Sequence, residues 1–196
     1  LTIDPGVTVL FSQDVYLKAL SGSTLIAQGT ESDSIYFTVT DTNTVTNIEG
    51  IIWESGSVGT TLSNDTTYVS GSHLSYSNFS HFPSRFLHSY PVVQLAHSIF
   101  QSNTSAEDVI TLEGSHSGQT QYIFECTFKN NHSNTSGGAV TLRGRRAGLN
   151  INNSDFIKNS SNSSGGAVAM ITEFPYSGIY STNCKFIENQ AGGSGG

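Results

Sequence analysis

The sequence predicts an all-β fold, a right-handed single-stranded parallel β-helix (a β-solenoid) of about seven coils. Three observations lead to this prediction: an internal repeat of 28 to 30 residues, period-two alternation of apolar residues, and the absence of an apolar stripe with the 3.6-residue period of a helix. A fixed repeat of this length is typical of stacked structural units. Period-two alternation broken every few residues by Gly, Asn and Ser indicates short strands joined by turns.

The repeat is clearest after residue 95. NTSGGAV at 134–140 returns as NSSGGAV at 162–168, 28 residues later. Upstream stand CTFKNN, SDFIKN and CKFIEN, each with Phe-x-x-Asn, and a degenerate fourth copy, SIFQSN, ends at Asn103. The step from Phe to the following Gly is nine residues in all three full copies: Phe128 to Gly137, Phe156 to Gly165 and Phe186 to Gly195. A spacing held this closely indicates one coil per repeat.

The first half is less regular. Strand-like runs occupy 7–11, 15–20, 24–30 and 35–40, and long irregular corners are expected at 41–50 and 57–73. We therefore predict one domain over 1–196, with irregular coils in 1–94 and regular repeats in 95–196. We expect this domain to be part of a longer chain or assembly. Parallel strands joined by crossovers predict right-handed winding.

Equivalent residues of stacked coils lie above one another and form columns. The Phe column should point inward as an aromatic ladder: Phe100, Phe128, Phe156 and Phe186. The Asn column should sit at a corner, where Asn tolerates a left-handed backbone and bonds to the amides above and below: Asn103, Asn131, Asn159 and Asn189. The Gly pair should open the next strand, where a Cβ would clash or φ is positive.

Both cysteines, Cys126 and Cys184, precede their Phe by two residues, and Ser154 holds this place in the intervening coil. They should lie two coils apart, about 9.6 Å at the usual strand spacing. A disulfide needs Cα atoms within about 7 Å. We therefore expect two free, inward cysteines.

The composition narrows the class of partner. The net charge is −7 and charged residues are only 12%, against roughly 25% in ordinary soluble domains. This balance argues against nucleic acid. No apolar stretch is long enough to span a membrane. The pattern predicts no catalytic residue, cofactor or metal site, and the six histidines show no zinc-ligand spacing.

N-glycosylation sequons, Asn-x-Ser/Thr, are frequent and favour a secreted, glycosylated protein. The eight candidates are Asn64, Asn78, Asn103, Asn131, Asn134, Asn152, Asn159 and Asn162. The Asn column persists at Asn189, where no sequon exists, so Asn131 and Asn159 are expected to be partly buried. Asn134, Asn162 and Asn64 should be better acceptors.

The Gly-Gly-Ala-Val and Phe-x-x-Asn strings resemble the GGA[ILV] and FxxN repeats of the polymorphic outer-membrane-protein family. That resemblance covers about residues 95–196 and implies the passenger part of an autotransporter adhesin with a right-handed parallel β-helix fold. The opening, LTIDPGVTVLF, is similar to the start of many secreted parallel β-helix proteins.

The sequence is compatible with two functions. The first is a secreted or surface-exposed structural or adhesive glycoprotein, a candidate subunit of an extracellular filament. It is expected to carry N-linked glycans and to associate with copies of itself, end to end or laterally, or with a cell-surface or glycan partner. The second is a carbohydrate-active enzyme, a polysaccharide lyase or glycoside hydrolase of the same fold. Such enzymes need converging carboxylates, whereas the acidic residues here are scattered. For Glu113 and Arg143, at equivalent places in successive coils, we expect a cross-coil ion pair.

Overall fold

The computed structural model describes residues 1–64, 66–114, 118–172, 175 and 177–195. The described residues form strands, turns and bends with no helix, and nearly all strands pair in parallel. The predicted parallel β-helix is therefore confirmed, and its two longest sheets contain seven strands each, one per coil.

The first three coils hold eleven strands, two of them in an excursion between the second and third coils. Coil 1 contains β1 (Thr2–Ile3), β2 (Thr8–Phe11) and β3 (Tyr16–Ala19), and coil 2 contains β4 (Ile26–Gln28), β5 (Ile35–Val39) and β6 (Gly50–Trp53). An antiparallel hairpin, β7 (Thr61–Leu62) and β8 (Tyr68–Ser70), follows, and coil 3 contains β9 (His73–Ser75), β10 (Ser77–Ser80) and β11 (Leu87–Ser89). The hairpin lies in the irregular corner expected at 57–73.

The later coils gain a fourth, short strand. Coil 4 contains β12 (Gln94–Ala96), β13 (Ile99–Gln101), β14 (Thr104–Ser105) and β15 (Ile110–Gly114), and coil 5 contains β16 (Thr120–Phe124), β17 (Thr127–Lys129), β18 (His132–Ser133) and β19 (Val140–Gly144). Coil 6 contains β20 (Gly148–Asn152), β21 (Asp155–Ile157), β22 (Ser160–Ser161) and β23 (Val168–Ile171), and coil 7 contains β24 (Gly178–Thr182), β25 (Lys185–Ile187) and β26 (Gln190–Ala191).

The sheets run along the stack, so each strand pairs with its equivalent in the coils before and after it. The first sheet orders β1-β4-β9-β12-β16-β20-β24, the second β2-β5-β10-β13-β17-β21-β25, and the third β3-β6-β11-β15-β19-β23. The short strands order β14-β18-β22-β26. The register places Phe128 opposite Phe100 and Phe156, as the repeat spacing predicts.

The Phe column is a continuous stack inside the coils. Ring centroids are 4.8 Å apart between Phe100 and Phe128, and 4.5 Å between Phe128 and Phe156. Phe186 continues the stack at 4.9 Å. The stack begins earlier than the repeat indicated, because Phe37 and Phe79 also belong to it.

The corners differ in one respect from the prediction. The left-handed residue is the one before each ladder Asn, with φ of 55° at Ser102, 54° at Asn130, 53° at Lys158 and 52° at Glu188. The expectation that the Asn itself adopts this conformation was wrong. The outward residue makes the turn because the Asn side chain must point inward to reach its partners in the neighbouring coils.

The Gly pair lies in the bend just before the third-sheet strand. Gly137 has a φ of +66°, and a Cβ on Gly138 would collide with the carbonyl oxygen of Gly166 in the next coil. Both reasons given by the sequence, positive φ and close approach, thus apply, one to each glycine.

Candidate functional site

The most regular polar structure in the molecule is an amide ladder that joins coils 3 to 7. The Nδ2 group of Asn131 donates to the carbonyl oxygen of Phe100 (2.9 Å) and to Oδ1 of Asn159 (2.9 Å). Oδ1 of Asn131 accepts from the backbone N–H of Asn103 (3.2 Å) and from its Nδ2 group (2.9 Å). The same four bonds recur one coil later, where Asn159 bonds to Phe128 and Asn189. Asn103, Asn131 and Asn159 are at most 1% exposed.

A second polar column stands two residues after each ladder Asn. It consists of Ser105, Ser133 and Ser161, all buried, with Ala191 in coil 7. The Ser133 hydroxyl donates to the carbonyl oxygens of Glu107 and Ser136, and that of Ser161 to Ser164. These hydroxyls fix the bend that leads to the glycines.

Three of the sequon candidates lie in the ladder. Asn103, Asn131 and Asn159 are buried, and both Nδ2 hydrogens of each are bonded inside the coil. Asn131 and Asn159 were expected to be partly buried, and their burial is in fact complete to within 1%.

The other sequons lie nearer the surface. Asn134 and Asn162 are exposed and stack coil on coil, and Oδ1 of Asn134 accepts from Nδ2 of Asn162 (3.0 Å) and from Nε2 of His132 (3.1 Å). Asn64 is exposed, and its Oδ1 accepts from the backbone N–H groups of Thr66 and Thr67. Asn78 and Asn152 are half-buried.

The two cysteines are free. Cys126 is 1% exposed, and its Sγ lies 3.4 Å from the carbonyl oxygens of Leu95 and Phe124. Burial raises the pKa of the Cys126 thiol to about 12. Cys184 is half-buried in coil 7. The side chains point inward as expected, but they differ in accessibility.

Thiol labelling should separate the two cysteines. In native buffer at pH 8, iodoacetamide should modify Cys184 several-fold faster than Cys126, because alkylation requires an accessible thiolate. Peptide mass spectrometry without reduction measures both rates, and denaturant should make them equal. Equal native rates, or a Cys126–Cys184 bridge, would contradict the register.

A buried carboxylate ties the corners of coils 4 and 5 together. Asp108 is 2% exposed; its Oδ2 accepts from Nε of Arg143 (2.7 Å) and its Oδ1 from the Thr135 hydroxyl (2.8 Å). Glu113 instead faces Nε2 of His88 at 3.3 Å. The predicted Glu113–Arg143 ion pair was wrong: their Cα atoms are in register, but the guanidinium reaches across to the better buried carboxylate.

Replacing Asp108 with Asn should lower the free energy of unfolding by about 2 kcal/mol, because a buried ionic acceptor of two cross-coil bonds is lost. The matched control is Glu107→Gln at the neighbouring residue, whose ion pair with Arg85 is exposed and should change stability by less than about 0.5 kcal/mol. Urea unfolding midpoints compare the two variants. Equal shifts would show that the Asp108 cluster adds nothing beyond a surface pair.

His73 lies beneath the β7–β8 hairpin. It is 4% exposed, the Tyr68 ring stacks on it at 4.2 Å, and its Nδ1 atom has no hydrogen-bond partner among the described residues. Burial, with a smaller contribution from His97, lowers the pKa of His73 from 6.5 to about 4. In the unfolded chain His73 takes up a proton near pH 6.5. The stability from neutral His73 is therefore complete above pH 6.5 and falls as the pH drops towards 4.

Between pH 7 and pH 4.5 this linkage should remove about 2–3 kcal/mol of unfolding free energy. His73→Gln should flatten the stability profile by this amount, and His81→Gln, at an exposed histidine, is the control. Urea titrations at several pH values test this. A wild-type slope retained in His73→Gln would contradict it.

The seven ion pairs among described residues use seven different carboxylates. One groove of about 250 Å³ crosses the corners of coils 2 to 4 and is lined by Glu49, Arg85 and Glu107. The described residues contain no cluster of His, Cys, Asp or Glu that could hold a metal; His116 lies outside them. The described part of the chain also contains no helix long and apolar enough to cross a membrane.

The in-register sheets, the Phe stack and the amide ladder define a β-helical repeat protein. Residues 125–141, which run from the corner before β17 into β19, match the family model described as the Chlamydia polymorphic membrane protein repeat. The match includes the Phe128–Asn131 pair and the Gly-Gly-Ala-Val string. Comparisons with curated proteins and with solved structures returned no match.

Proposed function

We propose that this chain is a surface-exposed, rod-like β-helical domain with a structural or adhesive role outside the cell. The match of residues 125–141 to a membrane-protein repeat supports a surface location. The observation that carries the proposal is the polar outer corner of coils 5 and 6. There Asn134 lies next to Asn162, and His132 next to Ser160. A polar surface that continues from one coil to the next suits a partner that binds at several points.

Self-association and glycan attachment are part of the same proposal. Parallel coils pair edge to edge throughout the molecule, and the same pairing between copies would build a filament. N-linked sugar fits only the outer sequons, chiefly Asn134, Asn162 and Asn64, with Asn78 and Asn152 less accessible.

Surface location is tested by treating intact source cells with a protease and probing with an antibody against residues 132–137. We expect the epitope to be accessible and then lost. Detection only after permeabilisation would contradict the proposal. Sedimentation velocity and electron microscopy of the purified chain test self-association, which should give end-to-end particles; monomers at all concentrations would remove the filament role.

The enzyme alternative draws support from the groove of Glu49, Arg85 and Glu107. Two carboxylates beside a guanidinium are a set that could bind and protonate a sugar chain. Purified protein should then release reducing sugars or unsaturated products from uronic-acid polysaccharides, and Glu107→Gln should abolish the release. If turnover persists in both Glu49→Gln and Glu107→Gln, the catalytic site does not lie in this groove.

A further inference from the structure

The sequons fall into two columns with opposite surroundings. The inner column is the amide ladder at Asn103, Asn131 and Asn159, and the outer column is Asn134 and Asn162. We infer that this chain reaches its fold in a compartment where nascent chains are not N-glycosylated, and that the inner sequons are by-products of coil packing. This inference does not depend on the adhesive role proposed above.

Glycan transfer and the ladder compete for the same hydrogens. Transfer forms a bond between Nδ2 and the anomeric carbon of a lipid-linked oligosaccharide, breaks the sugar–pyrophosphate bond and removes one proton from Nδ2. In Asn131 both Nδ2 hydrogens are needed, one for Phe100 O and one for Asn159 Oδ1. The product would lose one of these bonds and place a polar sugar inside a coil where the Asn is at most 1% exposed.

The hydroxyl that completes each inner sequon has its own structural role. Ser133 bonds to Glu107 and Ser136, and the Ser105 hydroxyl accepts from the backbone N–H of Glu107. A coil that needs Asn at one position and favours Ser two positions later therefore contains a sequon for structural reasons alone. In coil 7 the Asn is kept without a sequon. Ala191 stands where Ser would complete the sequon, yet Asn189 keeps its ladder bonds to Phe156 and Asn159.

N-glycosylation machinery that acts during translocation meets the unfolded chain, in which Asn103, Asn131 and Asn159 are as accessible as Asn134. The motifs NTS, NHS and NSS carry no proline that would block transfer. Sugar on the inner column would stop coils 4 to 6 from closing. Any sugar on the outer column of the native protein must therefore be added after folding.

The test uses Ser105→Ala, Ser133→Ala and Ser161→Ala together, which removes the three inner sequons and leaves every ladder Asn in place. Ala191 holds the same place in coil 7, and urea unfolding of the variant produced in bacteria checks that the buried column accepts Ala. Wild type and variant are expressed through a eukaryotic secretory route, with Ser136→Ala plus Ser164→Ala, which removes the outer sequons, as the control. Secretion is measured by immunoblot, and site occupancy by glycopeptide mass spectrometry.

Wild type should be retained in the cell with sugar at Asn103, Asn131 or Asn159, and the inner variant should be secreted several-fold more. The outer variant should behave as wild type. Tunicamycin should release unglycosylated wild type, which tests the inference without a substitution. Folded, secreted wild type bearing sugar on the inner column would overturn it, as would retention that tunicamycin does not relieve while bacterial wild type folds.

Discussion

Replacement of Asn131 by Ala is expected to lower the free energy of unfolding by about 4 kcal/mol, since each buried polar group left unpaired costs about 1–3 kcal/mol. Four groups lose a partner: the backbone N–H and Nδ2 of Asn103, which share Oδ1 of Asn131, the carbonyl oxygen of Phe100, and Oδ1 of Asn159. Of these, Oδ1 of Asn159 keeps its bond from the backbone N–H of residue 131. All lie in a corner that is at most 1% exposed, so water cannot replace the lost bonds.

The control is Asn134→Ala, three residues later in the same coil. Asn134 is exposed, and its removal should change stability by no more than about 0.5 kcal/mol. Asn131→Asp adds a second comparison, because the carboxylate keeps the shape and acceptors but buries a charge. It should be less stable than Asn131→Ala at pH 7 and should recover as the pH falls. Similar losses for the alanine variants at 131 and 134 would mean that the ladder contributes little.

The columns were predictable because coils 4 to 7 keep a constant spacing between Phe and Asn. Coils 2 and 3 belong to the same stack, yet Phe37 could not be placed from sequence, because the corners at 41–50 and 57–73 change the spacing that identifies the column. Where the repeat length is constant, the sequence alone shows which residues of successive coils align. Where the loop length varies, the alignment depends on how the coils pack and is seen only in the structure.

Pairings within a corner were less predictable for a different reason. Glu113 and Arg143 occupy equivalent positions, and the sequence offers no sign that Asp108, five residues earlier, reaches Arg143 first. The sequons pose a similar difficulty, because a glycan acceptor and two adjacent structural columns produce the same Asn-x-Ser string. Burial distinguishes the two kinds of Asn. The residue just before each ladder Asn adopts the left-handed conformation, so that the Asn side chain points into the coil.

The ladder starts where an aromatic corner ends. In coil 3 the place of the ladder Asn is taken by Phe82, whose backbone N–H donates to Oδ1 of Asn103 at 3.1 Å. The Phe82 ring packs against Phe11 and Phe86 at centroid distances of 5.6 and 4.9 Å. The irregular coils are thus filled by apolar rings, whereas the regular coils close with amide bonds, and the inward Phe stack is common to both.

The Phe stack should give a second large effect at Phe128. Phe128 is fully buried and lies between Phe100 and Phe156, with interplanar angles of 8° and 5°. Phe128→Ala should cost about 4 kcal/mol, from lost burial and the cavity that remains. Phe128→Leu retains most of the apolar volume and loses the two ring contacts, so it should cost about 1–2 kcal/mol. The difference between these variants separates volume from stacking.

Phe124→Ala is the matched control, because Phe124 belongs to the same coil but lies half-buried on the outside of β16, edge-on to His97 at 5.3 Å. It should cost about 1 kcal/mol from partial loss of apolar burial. Because a solenoid is stabilised chiefly by contacts between neighbouring coils, Phe128→Ala should also split urea unfolding into two steps, with coils 6 and 7 melting before coils 1 to 4. Equal costs at 124 and 128, with a single transition in both variants, would mean that the aromatic column does not couple the coils.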